Sequence, residues 1–185
     1  MEVTIASLWL PIVLSAVAVF IASFLAWMVV GHHKSDYRKV TDEDALLEAI
    51  RSQKLARGMY NIPHCDPSEM KDPAVAKKFD DGPVCMITVF PNGFNMGKSL
   101  MQWFVYSLYI GIVAAYLCST HLPKGAEYLK VFQTAGVAAF LAYTTALIPQ
   151  GIWKGQLWCT ILKEVIDGTV YALLTAGIFA AMWPA

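Results

Sequence analysis

The sequence predicts an all-α membrane protein: a four-transmembrane-helix bundle with a small mixed α/β cytoplasmic insertion between helices 1 and 2. Three observations carry this. Of 185 residues, 57% are hydrophobic and only 15% charged, against about 25% in a soluble domain. Twenty of the 28 Asp, Glu, Lys and Arg side chains fall within residues 32–98. Outside that stretch lie four apolar runs near the length, about 20 residues, that a helix needs to cross a bilayer. Net charge is zero, so no bulk field draws in nucleic acid, and no nucleic-acid partner is expected. The organisation reads as transmembrane helix 1 over 1–31, a cytoplasmic insertion over 32–98, and transmembrane helices 2–4 over 99–185.

Span one has an unbroken apolar body from Ile5 to Val30. Met1-Glu2-Val3 before it lacks Lys and Arg, and the body exceeds the 7–15 residues of a signal peptide, so it is expected to remain as an anchor. Span two runs from about Ser99 to Thr120. Span three lies between Lys130 and Lys154, with Pro149 expected to mark its helical end. Span four is uncharged only from Gly168 to Trp183, so its helix is expected to start near Leu162 and to carry Asp167 at the hydrocarbon edge. Ten of the fourteen Lys and Arg follow span one, and Lys154 and Lys163 join them, leaving Lys124 and Lys130 on the other side. Positive charge stays inside, which predicts the cell (inner) membrane with both termini outside. Trp9 and Trp183 then fall at one interface and Trp27, Trp103, Trp153 and Trp158 at the other, as an aromatic belt requires.

Lipid tails are as apolar as Leu, so helices associate there through small residues. Each span carries such residues at every fourth position: Ala18, Ala22 and Ala26; Ser107, Gly111, Ala115 and Ser119; Thr134, Ala138, Ala142 and Ala146; Gly168, Ala172, Ala176 and Ala180. Phe104, Phe140 and Phe179 are expected to face lipid or a neighbouring subunit. The hydroxyls within the spans are expected to bridge helices.

Within the insertion, residues 41–57 read as an amphipathic helix N-capped by Thr41 and closed by Gly58 at C′. Its apolar stripe is Leu46, Leu47, Ile50 and Leu55. Asp72-Pro73 opens a second short helix. Residues 84–90 read as a strand closed by Pro91-Asn92-Gly93, with Tyr60-Asn61-Ile62 as its partner.

Three motifs bear on chemistry. Gly93-Phe94-Asn95-Met96-Gly97-Lys98-Ser99 has three residues between its glycines where a phosphate loop needs four, so no nucleotide cofactor is expected. His64, Cys65 and Cys85, with His32 or His33, are weak metal candidates, because tetrahedral zinc sites use closely spaced ligand pairs. Lys154, Lys163, Glu164 and Asp167 form a charged group at the base of span four, a vestibule or a lipid-headgroup site. Asp167 is expected to pair with Lys163, one turn away, or with Lys154.

No catalytic signature survives, so an enzyme is not expected. The leading expectation is a non-catalytic membrane assembly or accessory subunit, a homo-oligomer or part of a larger membrane complex. The alternatives are a small oligomeric transporter or channel with a charged vestibule, and a membrane metal-handling protein or enzyme.

Overall fold

In the computed structural model, residues 3–90 and 95–185 are described. The chain divides into two compact units, Met1–Tyr37 with Met96–Ala185, and Arg38–Asn95.

The first unit is helical. A 3-10 turn, Ile5–Leu8, leads into α1, Trp9–Phe24, which continues as π-helix through Leu25–Val30. In the second unit come α2 (Glu43–Ser52), β1 (Gly58–Ile62), α3 (Pro73–Asp81) and β2 (Cys85–Val89). The first unit resumes with α4 (Met96–His121), α5 (Tyr128–Thr144), α6 (Ile148–Lys154) and α7 (Trp158–Ala181). Among the described residues, four helical segments are long and apolar enough to cross a membrane: Ile5–Val30, Met96–His121, Tyr128–Lys154 and Trp158–Ala181.

These four segments pack around two buried clusters. One joins Leu8, Ile12, Ala115, Cys118, Val131 and Phe179. The other joins Val19, Ile110, Ala139, Tyr143, Tyr171 and Ala172. Small residues set the approach distances. A Cβ on Gly168 would lie 2.9 Å from Thr144 Cγ2 and 3.0 Å from the Tyr143 carbonyl oxygen, and one on Gly136 would lie 3.2 Å from Ala176 Cβ. The ends of the unit are tied as well. Trp183 Nε1 donates to the Pro123 carbonyl at 2.9 Å, and Gly125 N–H to the Pro184 carbonyl at 2.9 Å.

The buried stripes include Ser107, Gly111 and Ala115 on α4, and Gly168, Ala172 and Ala176 on α7. On α1 and α5 the expected register needs correction. Ala22, Ala138 and Ala142 are only half-buried, whereas Ile12, Ser15, Ala16 and Val19, and Val131, Ala135 and Ala139, are buried. Phe179 is also corrected: it is 0% exposed, inside the first cluster. Phe140 is 40% exposed. Several core hydroxyls also donate to the backbone of their own helices. Ser15 donates to the Ile12 carbonyl, Ser107 to Trp103, Thr144 to Phe140 and Thr175 to Tyr171. Two interhelical bonds come from aromatic side chains: Trp103 Nε1 donates to Ser23 Oγ at 3.0 Å, and Tyr106 OH to the Ala142 carbonyl at 3.0 Å.

Boundaries shift for local reasons. α5 ends at Thr144, and Pro149 falls in the first turn of α6, where proline's missing N–H costs nothing. α7 starts at Trp158, a turn before Leu162.

In the second unit, Asp42 rather than Thr41 caps α2, its carboxylate accepting from Ala45 N at 3.0 Å. That helix stops at Ser52, and Gly58 opens β1 instead of closing the helix. Asp72 caps α3, accepting from Ala74 N at 2.8 Å, with Pro73 in its first turn. β1 and β2 pair antiparallel, with Tyr60 opposite Ile87 and Ile62 opposite Cys85. No described residue of this unit is buried, as expected where so short a segment has little surface to remove from water. The expected turn at 91–93 lies outside the described residues.

Candidate functional site

The first unit carries a cluster of ionisable side chains where α1's continuation meets α7. Its local geometry begins at Gly31, with φ of 66°, a left-handed conformation that glycine adopts without penalty. There the chain leaves the π-helix and enters a 3-10 turn, His32–Ser35. Three residues per turn bring positions i and i+3 onto one face, so His33 and Asp36 meet, with Nδ1 2.7 Å from Asp36 Oδ2. On α7, Thr160, Lys163 and Asp167 recur at helical spacing and present one face to this turn.

Lys163 holds the turn in place. Its ammonium donates to the His32 carbonyl at 2.8 Å, Ser35 Oγ at 2.9 Å and Asp36 Oδ1 at 2.6 Å, which satisfies all three of its N–H groups. That hydrogen bond keeps the Asp36 carboxyl below its usual range, against the opposing effect of burial, and the bond to His33 adds to it. Asp167 closes the other side. Its Oδ2 lies 3.0 Å from His33 Nε2 and its Oδ1 3.1 Å from His32 Nε2. The side chains of His33 and Asp36 are 2% and 4% exposed, and that of Asp167 11%. Trp27 stacks on His33 with centroids 4.0 Å apart, and the His32 ring lies 4.2 Å from the His33 ring. His32 Nδ1 is buried and has no hydrogen-bond partner among the described residues.

The proton inventory constrains what this site does. His33 faces a carboxylate oxygen at each nitrogen, yet a neutral imidazole carries one N–H. With Nδ1–H given to Asp36, the Nε2–Asp167 contact needs a further positive species. Either a second proton or a metal ion supplies it. Buried charge of this kind is stable only when paired and hydrogen-bonded.

The sequence-expected site residues are placed as follows. Asp167 does not pair with Lys163 or Lys154; the two histidines take it, because the turn after Gly31 reaches it and Lys163 is engaged with Asp36. Glu164 accepts from Gln156 Nε2 at 2.9 Å. Lys154 is exposed at the end of α6 and makes no ion pair among the described residues. His64 and Cys85 are exposed and Cys65 half-buried. Among the described residues, the group whose metal-ligating atoms converge is His32, His33 and Asp167, all within 4.8 Å of one another, and His64, Cys65 and Cys85 form no such group. Sequence reasoning missed Asp36 and the joint role of the two histidines. The available signal was a His-His pair and an i+3 Asp immediately after one span, facing Lys163 and Asp167 at the same depth of another.

Searches against protein-family models, curated proteins and solved structures find no match to this chain.

Proposed function

We propose that the chain is a multi-pass protein of the cell (inner) membrane, with both termini outside and residues 32–98 in the cytoplasm, acting as a non-catalytic assembly or accessory subunit. The lipid bilayer is its first partner. The carrying observation is the outward surface of the four apolar helices, where large hydrophobic side chains stand open: Ile21 is 53% exposed, Phe24 56%, Val105 55% and Leu173 54%. A face of that size in water marks an interaction surface or an aggregation hazard; lipid and partner subunits would cover it.

The interior supports an accessory role over transport by a single chain. Two of its buried clusters are built from small, aliphatic and aromatic side chains. The test is size and flux. In mild detergent the 20.4 kDa chain should run as a homo-oligomer or within a larger complex, and reconstituted vesicles should leak no more than empty ones. A monodisperse monomer that moves a solute across the vesicle would replace this reading with the transporter.

A further inference from the structure

The geometry points to a binding site for a first-row divalent transition metal, with His32, His33 and Asp167 as its protein ligands. This goes beyond the proposed role in the membrane and stands apart from it.

Spacing is the first argument. Metal–nitrogen and metal–oxygen bonds of about 2.0–2.2 Å put neighbouring ligand atoms about 3 to 3.5 Å apart. His32 Nε2 and His33 Nε2 lie 3.1 and 3.0 Å from the two oxygens of the Asp167 carboxylate, and the three ligand atoms fall within 4.8 Å of one another. The next argument is the shell around them. A metal-bound histidine usually gives its other N–H to a carboxylate, which fixes the tautomer and turns the ring. His33 does this: Nδ1 lies 2.7 Å from Asp36 Oδ2, and Asp36 is itself held by Lys163 at 2.6 Å. That leaves the Nε2 lone pair directed at the site.

Charge is the third argument. With neutral imidazoles, Asp36, Asp167 and Lys163 leave one uncompensated negative charge in a largely buried site. A cation between the Nε2 atoms and Asp167 neutralises it and relieves the lone-pair contact with Asp167. His32, whose Nδ1 has no partner among the described residues, is then held at the site through Nε2. The donor set also selects the metal. Magnesium and calcium take oxygen ligands, whereas two imidazoles and one carboxylate suit Zn2+, Fe2+, Co2+ or Ni2+.

The test uses the full chain, purified in detergent and stripped with chelator, with Co2+ as probe. One Co2+ per chain is expected, with visible ligand-field bands that Zn2+ displaces and a saturable rise in melting temperature. Asp36→Asn should weaken binding by about 10- to 100-fold, as loss of a partner outside the ligand set does. His32→Gln and Asp167→Asn should each weaken it at least as far, while a His64→Ala, Cys65→Ser, Cys85→Ser triple variant binds as the parent does. Among the described residues the His32 side chain makes no other hydrogen bond, so His32→Gln reads the site even where Asp167→Asn fails to fold. The proposal is overturned by a parent chain that takes up no stoichiometric Co2+. Binding that survives His32→Gln, or disappears in the triple variant, overturns it equally.

Discussion

Replacing Gly168 by alanine tests the packing of α7 on α5 with a single methyl group. The new Cβ would meet Thr144 Cγ2 at 2.9 Å and the Tyr143 carbonyl oxygen at 3.0 Å. A backbone carbonyl cannot rotate aside, so the helices must separate or α7 must bend. Overpacking of this kind costs about 1–3 kcal/mol. Alanine also changes helix propensity, by up to about 1 kcal/mol in its favour. Gly177→Ala controls for that: it lies in the same helix, and its new Cβ would approach nothing closer than Tyr128 OH at 4.0 Å. Propensity cancels between the two variants, which should therefore differ by about 1–3 kcal/mol, with Gly177→Ala at or above the parent. Reversible denaturation in mixed micelles, followed by circular dichroism, measures the difference. Equal stability of the two variants would refute the close approach at Gly168.

Phe179→Ala empties a fully buried position and should cost up to about 3–5 kcal/mol, whereas Phe140→Ala, at a half-open position, should stay within about 0.5 kcal/mol of the parent; the same denaturation assay reads both. Trp103→Phe removes the donor to Ser23 and should cost about 0.6 kcal/mol, the mean for hydrogen bonds between membrane helices. In a Ser23→Ala background that cost should vanish. Asp36 has a carboxyl held below its ordinary value of 3.8, chiefly by the Lys163 hydrogen bond, so its contribution is complete above that value and is lost as pH falls through the lower, folded-state one. Melting curves of the parent and Asp36→Asn should accordingly stay apart down to about pH 4 and converge below it.

Hydropathy made the four long apolar helices legible, because about 20 apolar residues leave little alternative. The short elements of the insertion were legible where a side chain carries the geometry: Asp72-Pro73 starts α3, and the strand at 85–89, β-branched at Ile87, Thr88 and Val89, pairs with 58–62. The register of the small-residue stripes was not. On α5, Thr134, Ala138 and Ala142 form one ladder and Ala135 and Ala139 another one residue along, and only the neighbouring helices decide which turns inward. α2 lost its last turn for a similar reason: its stripe remains open, with Leu46 46% exposed, so no packing holds residues 53–57 helical against the pull of the strand at Gly58. The candidate site was half legible. Asp167 stood out as a carboxylate in an apolar helix, but its partners lie more than 130 positions earlier, and their approach depends on the left-handed turn at Gly31.

Cysteine accessibility in intact cells tests whether the chain crosses the membrane four times with residues 32–98 on the cytoplasmic side. In a background lacking Cys65, Cys85, Cys118 and Cys159, single Lys54→Cys and Lys124→Cys variants are treated with a membrane-impermeant maleimide. Cys at position 124 should label in intact cells, and Cys at position 54 only after the membrane is opened. Labelling at 54 from outside, or equal labelling at both positions before permeabilisation, would rule out this topology.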